Sequence, residues 1–564
     1  MVSPIASRDP APPPTAVSRR FFALGAFALL LIACERAQPP PALDSVNAPP
    51  ERAEPIVLAA EQVLRRSLSI EPESLDPHRA ESLQAGHVLR DLFEGLVAED
   101  PAGKLIPGAA SSWEVEDGGR AYVSRLRPGA RWSDGTPLRA ADWVRSFRRA
   151  VAPETGARYA ALLRPILHAE AIIAGRLPPE ALGVHASSED LLRIELERPT
   201  PSFLARLTHP IAFPVRLKRD EHGEPLRIPV GNGPFMLVER VLNSHLRLLK
   251  NPHYHAAEEV RLQEVLYLPI ERSQATLARY RTNEIDWADE IPVTEAAALA
   301  AEFPGELLVL PYLGTYYFGL NASRPPFSDP RVRRALAMSL DSRRLSSAAL
   351  FTPRQAAYSF VPPTLEAYSS PRPSWAGLSD EERLALARRL LAEAGYGEQR
   401  PLRFELRFNT GEDHRRIALA ASALWREHLP VQVELHHEEF RVFLENRRRR
   451  ATEMFRAGWV ADLPDPADFL ENFRSDSPRN DTAFSDPRFD RLLEEAATES
   501  DETRRLALLA EAESILLEEA VVIPLFHYAS RRLIRPWVRG WQPNPLDRHP
   551  SRWLWISAHP SPAR

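Results

Sequence analysis

The segment from Phe455 to Asp462 carries the residue types whose chemistry is most informative. Gly458 allows a second backbone to approach closely, Trp459 offers a broad flat face, and Asp462 adds a negative charge where a strand would end. An extended peptide could join such a strand through main-chain hydrogen bonds, with its terminal ammonium on Asp462. A plainer interpretation is that Asp462 caps a turn before Pro464. The segment alone leaves both interpretations open.

Cys34 is the only cysteine in 564 residues, and its position predicts a lipid anchor. It follows the apolar run Phe21–Ile32, which is too short to span a bilayer and is preceded by arginines. Small Ala33 before a lone thiol resembles a bacterial lipobox, although an ordinary secretion signal is the alternative. We therefore expect a lipoprotein signal peptide over residues 1–34, exported by the Sec or the twin-arginine route, and a proline-rich linker over 35–60.

Charge, apolar runs and length limit the kinds of protein this chain can be. The formal net charge of -5 gives no electrostatic reason to expect nucleic acid as a ligand. The basic run Arg447–Arg450 is typical of the solvated end of a helix. After Cys34 no long apolar run follows, so we expect no membrane-spanning helix. The length indicates about three domain-sized units.

A strand and helix series positions Asp462. Leu402 to Phe408 alternates apolar and polar residues, which predicts a strand. This strand is followed by a helix over Asp413–Glu427, a strand through Val431–Leu435, a helix over Phe440–Arg449 and a strand over Met454–Val460. This order predicts a largely parallel sheet with right-handed crossovers. Ligands collect outside the carboxyl ends of such strands, where Asp462 lies.

From about residue 63 onward, the chain resembles the oligopeptide-binding proteins of ABC importers, which belong to the extracytoplasmic solute-binding proteins of family 5. Several short motifs occur in the family's order and carry the resemblance: Glu73-Ser74-Leu75-Asp76-Pro77-His78, Arg90-Asp91-Leu92-Phe93-Glu94-Gly95-Leu96, Trp132-Ser133-Asp134-Gly135-Thr136-Pro137, Asn232-Gly233-Pro234-Phe235, Asn251-Pro252-His253-Tyr254, Thr315-Tyr316-Tyr317 and Pro326-Phe327-Ser328-Asp329-Pro330.

The resemblance implies an α/β, periplasmic-binding-protein-like fold, with two α/β lobes hinged around a cleft and a smaller third domain. The domain limits that it implies are 61–93, 214–314 and 528–564 for domain I, 94–213 for domain II and 315–527 for domain III.

The resemblance also assigns roles in peptide binding. Asp462 is expected to receive the amino terminus of a peptide, while the strand edge with Gly458 and Val460 pairs with its backbone. The remaining expected cleft residues are basic side chains for the carboxyl terminus and aromatic side chains, namely Arg456, Arg447, His414, Tyr317, Trp459 and, from the second domain, Tyr159. His414 at a helix start also fits a merely solvated side chain.

Two departures from the family pattern affect what the resemblance implies. Some relatives join two strands by a disulfide at the positions of Gly314 and Val460, and this chain lacks both cysteines. The loop Leu463-Pro464-Asp465-Pro466 mixes patterns typical of oligopeptide and dipeptide binders. The preferred peptide length therefore stays open.

Other functions find less support in the sequence. A secreted hydrolase would need a zinc or nucleophile motif, and none is present. His436 to Glu439 has metal-ligand types, but adjacent histidines after a strand point in different directions. Asp465 and Asp468 resemble a carboxylate pair that loop solvation explains more simply. A nickel chelate or a cell-wall peptide stays possible as a ligand, whereas Asp462 disfavours neutral sugars.

The sequence therefore predicts a binding protein rather than an enzyme, without cofactor or metal. Its expected partners are short peptides, an ABC permease with its ATPase subunits, and the membrane through the lipid on Cys34. We expect a monomer that binds no nucleic acid and lies on the periplasmic side of the envelope.

Overall fold

The computed structural model describes residues 57–216, 228–292, 295–345, 356–365 and 367–558. The predicted signal peptide, Cys34 and nearly all of the linker lie outside these residues. Within them, no helix combines the length and apolar character needed to cross a membrane.

The strands alternate with helices along most of the chain. In chain order the strands are β1 Val63–Leu68, β2 Val97–Glu99, β3 Leu105–Pro107, β4 Ala110–Glu116, β5 Ala121–Leu126, β6 Val184–Ala186, β7 Leu191–Glu195, β8 Phe235–Val241, β9 His245–Lys250, β10 Glu264–Pro269, β11 Trp287–Ala288, β12 Leu307–Leu320, β13 Leu402–Asn409, β14 Val431–Glu438, β15 Met454–Val460, β16 Val522–Ile534, β17 Val538–Arg539 and β18 Trp555–Ile556.

The helices are α1 Leu83–Leu92, α2 Ala140–Val151, α3 Ala169–Ile173, α4 Phe203–Arg206, α5 Ser273–Arg281, α6 Ala296–Glu302, α7 Pro330–Ser339, α8 Asp380–Glu393, α9 Glu412–His428, α10 Phe440–Arg448, α11 Pro466–Leu470, α12 Pro487–Thr498 and α13 Glu502–Glu518. Local sequence explains both ends of α8. Ser379 and Glu382 form a capping box at the start of α8, and Gly395 follows its end with φ of 87°.

Ten strands form one mixed sheet in the order β14-β13-β15-β12-β16-β11-β1-β10-β9-β8. Strand β13 pairs in parallel with both β14 and β15, as the series around residues 402–460 predicts. Strand β15 then runs antiparallel to β12. The parallel arrangement is therefore confirmed for this series, and the sheet beyond it is mixed.

The long strands β12 and β16 connect the two halves of this sheet. Their pairing shifts register between Pro311 and Thr315, opposite Ala529 and His527. Such irregularities bend a sheet. The predicted boundaries at 314/315 and 527/528 fall at this shift.

A separate four-stranded sheet, β4-β5-β7-β6, lies within residues 94–213. Helix α2 packs on this sheet through Trp143, Val144, Phe147 and Val151, which share one buried face. The fold is therefore α/β, with two lobes around a cleft and a smaller third domain.

Candidate functional site

A cavity of about 720 Å³ lies where the three predicted domains meet. Val460 and Asp462 line it from the end of β15, and Tyr159 and His209 line it from residues 94–213. The other side chains used below come from α1, β16 and the chain that follows β16: Arg90, Tyr528, Arg531, Arg532 and Arg548. The carboxyl end of β15 therefore opens into a concave site, as expected for an α/β sheet.

The main chain of Asp462 is held on both sides. Its N–H donates to Oδ2 of Asp468 at 3.0 Å, and its carbonyl accepts from Nη2 of Arg548 at 2.7 Å. Its carboxylate forms no ion pair or hydrogen bond with any described residue. Burial raises the pKa of Asp462, while the charges of Arg479, Arg548 and Arg90 oppose that rise. The backbone is thus fixed and the carboxylate is left for another partner.

Asp468 supports this arrangement from behind. Its Oδ2 also accepts from Nε1 of Trp459 at 3.1 Å. Burial and the nearby charge of Asp462 raise the pKa of Asp468 to about 8. One carboxyl group therefore ties the indole of Trp459 to the backbone of Asp462.

The expectation that loop solvation explains Asp465 and Asp468 is wrong. Asp465 is buried, forms a 2.6 Å ion pair with Arg505 and accepts from Ala467 N–H at the start of α11. These contacts, with those of Asp468, shape the loop after β15. A single sequence does not reveal the distant partner Arg505.

One edge of β15 is open beside the cavity. The strand pairs with β12 along its whole length, with Gly314 opposite Val460 and Tyr316 opposite Gly458. On its other edge β13 pairs only as far as Phe455. Beyond Phe455 no described strand occupies that edge.

The side chain of Tyr528 occupies the space over Gly458, a contact that the sequence did not predict. A Cβ on Gly458 would clash with the Tyr528 hydroxyl, and one on Gly314 would lie 2.6 Å from Cδ2 of Tyr528. Both glycines therefore make room for this ring, which lines the cavity. On this face the close neighbour of Gly458 is an aromatic ring, rather than the second backbone expected from the sequence.

The expected aromatic residues occupy different environments. Tyr159 lines the cavity, its ring 4.6 Å from that of His209, and burial together with the charge of Asp462 raises its pKa to about 12. Trp459 is partly buried under the guanidinium of Arg479, at 5.2 Å. Tyr317 is buried edge-on against Phe360 and does not line the cavity.

The expected basic residues lie outside the cavity and are here called the basic cluster: Arg447, Arg456 and His414. Nη2 of Arg456 lies 2.8 Å from Nε2 of His414, and its guanidinium lies over the ring of Tyr316. Burial and Arg456 lower the pKa of His414 to about 4. None of the three lines the cavity that contains Asp462.

Arg447 departs from the predicted solvated helix end. Its Nε forms a 2.5 Å ion pair with buried Asp481, and its guanidinium lies over the rings of Phe443 and Phe455. Arg448 to Arg450 are exposed, as predicted. The run is therefore split between a structural ion pair and a solvated end.

The possible metal ligands at the end of β14 point apart. His436 lies 3.8 Å from Glu405, whereas Glu438 is bonded to Arg407 and to Asn446. Across the described part of the chain, no group of three or more His, Cys, Asp or Glu side chains is placed to hold a metal ion.

The fold agrees with the comparisons to known proteins. Residues 104–481 match the family model of bacterial extracellular solute-binding proteins, family 5 Middle. This match covers most of the chain, so the protein belongs to that family.

Two of the similar proteins are periplasmic binding proteins of Escherichia coli. The periplasmic murein peptide-binding protein MppA of Escherichia coli K12 is 38% identical over 510 residues, covering 89% of this chain and 95% of the relative. The periplasmic oligopeptide-binding protein OppA of the same organism is 36% identical over 512 residues, with 89% and 94% covered. The unliganded open form of MppA has a TM-score of 0.78 at 36% identity, covering 89% of this chain and 99% of that structure.

Proposed function

We propose that this protein captures short peptides outside the cytoplasmic membrane and passes them to an ABC permease. A lipid on Cys34 would hold it at the membrane, because more than one acyl chain gives firm anchoring. Membership of the solute-binding family and the names of the two E. coli relatives support the peptide ligand.

The observation that carries the proposal is the partly buried carboxylate of Asp462, which lines the cavity and has no partner among the described residues. An ammonium group would supply the missing charge, and such a bond is strong where water is excluded. Burial raises the pKa of Asp462, and the positive charges of Arg479, Arg548 and Arg90 compensate for this only in part. A ligand with a free amino terminus meets this requirement.

The open edge of β15 supplies the second part of the binding mode. An extended peptide would pair with the edge that carries Gly458 and Val460, beside Trp459 and Tyr159. Main-chain pairing tolerates many side chains, and water can fill the space that a small one leaves. For ligands long enough to leave the cavity, the basic cluster stays the proposed receptor of the carboxyl terminus.

The test is calorimetry with a tripeptide and its N-acetylated form. We expect Asp462→Ala to weaken binding of the free tripeptide by about 2–5 kcal/mol, which is about thirtyfold or more, because the ammonium loses its partner. N-acetylation of the tripeptide should weaken its binding to the unmodified protein by a similar factor. In Asp462→Ala, which already lacks the carboxylate, N-acetylation should weaken binding only slightly further.

The matched control is Asp190→Ala, since Asp190 is an exposed carboxylate outside the cavity. This variant should bind like the unmodified protein. Undiminished affinity in Asp462→Ala would reject the proposed role of Asp462.

Cell-wall peptides are a second candidate, favoured by the 38% identity to a murein peptide-binding protein. Competition between a murein tripeptide and an ordinary tripeptide would separate the two ligand classes.

The lipid anchor has its own test. Mass spectrometry of the membrane fraction should find lipid on Cys34, and release of protein without lipid would refute the anchor.

A further inference from the structure

Arg531 is a cation in the cavity that neither the motifs nor the proposed binding mode uses. It lies on β16, opposite Val309 of β12, and its partly buried side chain lines the same cavity as Asp462. In the described ranges its guanidinium has no ion pair and no hydrogen bond.

The neighbouring arginines of the cavity are held by other groups. Arg532 contacts Asp547 and lies 3.8 Å from Asp289. Arg548 pairs with Glu99 at 2.8 Å and also holds the Asp462 carbonyl. Nη1 of Arg90 donates to the Gly86 carbonyl. Burial and the charge of Arg548 lower the pKa of Arg90 to about 9, although Glu99 and Asp462 act in the other direction.

The surroundings of Arg531 leave its charge under-compensated. Burial lowers its pKa, and Asp413 at the start of α9 opposes that effect only through space. A partly buried cation without a bonded anion gains from a ligand that brings one.

We propose that Arg531 receives a carboxylate of the ligand while Asp462 receives its ammonium. This inference rests on the proposed function and narrows its substrate class to peptides that present a carboxylate within the cavity. That carboxylate is either the carboxyl terminus of a short peptide or an acidic side chain of a longer one. Short or acidic peptides are then bound without recruiting the basic cluster.

The two sources are separated by calorimetry with matched tripeptides. Trialanine and its C-terminal amide differ only in the terminal carboxylate. Among amidated tripeptides, glutamate at the second or third position is compared with glutamine at the same position. We expect the unmodified protein to prefer the carboxylate member of at least one pair by about tenfold, and Arg531→Gln to abolish that preference.

The control is Arg403→Gln, which removes an exposed arginine of β13 outside the cavity and should leave the preference intact. Arg531→Lys should keep part of it, and all three variants should match the unmodified protein in unfolding free energy. A preference that survives Arg531→Gln, or no preference in any pair, would overturn the inference. If no tripeptide binds the unmodified protein, the proposed function fails first, and the inference fails with it.

Discussion

The cavity at the end of β15 and the basic cluster differ in whether their charged side chains already have bonded partners in the protein. In the cavity, Asp462 and Arg531 have side chains without bonded partners among the described residues. In the basic cluster, Arg447 is bonded to Asp481 and Arg456 to His414. A partly buried charged group is stabilised by a bonded partner of opposite charge, so a charged side chain without one in a cavity indicates where a ligand supplies that partner. A charged residue is therefore not equally available to a ligand in the two regions.

The largest expected effect that separates the two regions comes from Arg447→Ala. Because Asp481 is buried, loss of its partner should lower the free energy of unfolding by about 3 kcal/mol. Affinity for a tripeptide should change less than about twofold. Urea unfolding and calorimetry measure the two quantities.

Arg448→Ala serves as the control, since Arg448 is exposed on the same helix and should change neither quantity. If Arg447→Ala kept the stability of the unmodified protein but bound the tripeptide tenfold or more weakly, the claimed difference between the two regions would be wrong.

An intermediate effect is expected at Asp468, behind the cavity. Asp468→Ala would leave the Trp459 indole N–H and the Asp462 N–H without their acceptor, at a cost of about 1–3 kcal/mol in unfolding free energy. Asp468→Asn keeps an oxygen acceptor and resembles the protonated carboxyl that a pKa of about 8 implies at neutral pH. Equal losses in both variants, measured by urea unfolding, would contradict this role.

The smallest expected effect concerns pH and His414. Its folded-state pKa of about 4 lies below the ordinary 6.5, so between these values the unfolded state binds more protons and stability falls as the pH falls. His414→Gln should therefore lose less stability than the unmodified protein between pH 7 and pH 5. The difference should be under about 1 kcal/mol, since solvent screens this half-buried group.

The control for this comparison is His185→Gln, which changes an exposed histidine on β6. Unfolding free energies at both pH values give the slopes. Identical slopes for His414→Gln and the unmodified protein would show that His414 does not resist protonation in the fold.

Features set by neighbouring residues in the chain could be predicted from the sequence. The strand and helix series from β13 to β15 lies within a few residues of its predicted bounds, because apolar alternation and helix spacing are local signals. The pairing of Gly314 with Val460 likewise agrees with the alignment implied by family resemblance.

Contacts between distant parts of the chain could not be predicted in this way. Tyr528 lies 70 residues after Gly458, whose space it fills, and Asp481 lies 34 residues after Arg447. Whether an arginine is bonded or available depends on such tertiary contacts. Arg531 and Arg447 are the same residue type, and only the fold distinguishes the available cation from the paired one.

The most direct test of the central claim is a crystal structure of the protein with a bound tripeptide. The account predicts the terminal ammonium nitrogen about 2.8 Å from a carboxylate oxygen of Asp462, with the peptide backbone along the open edge of β15. A structure in which the Asp462 carboxylate faces bulk solvent while the amino terminus lies elsewhere would contradict it.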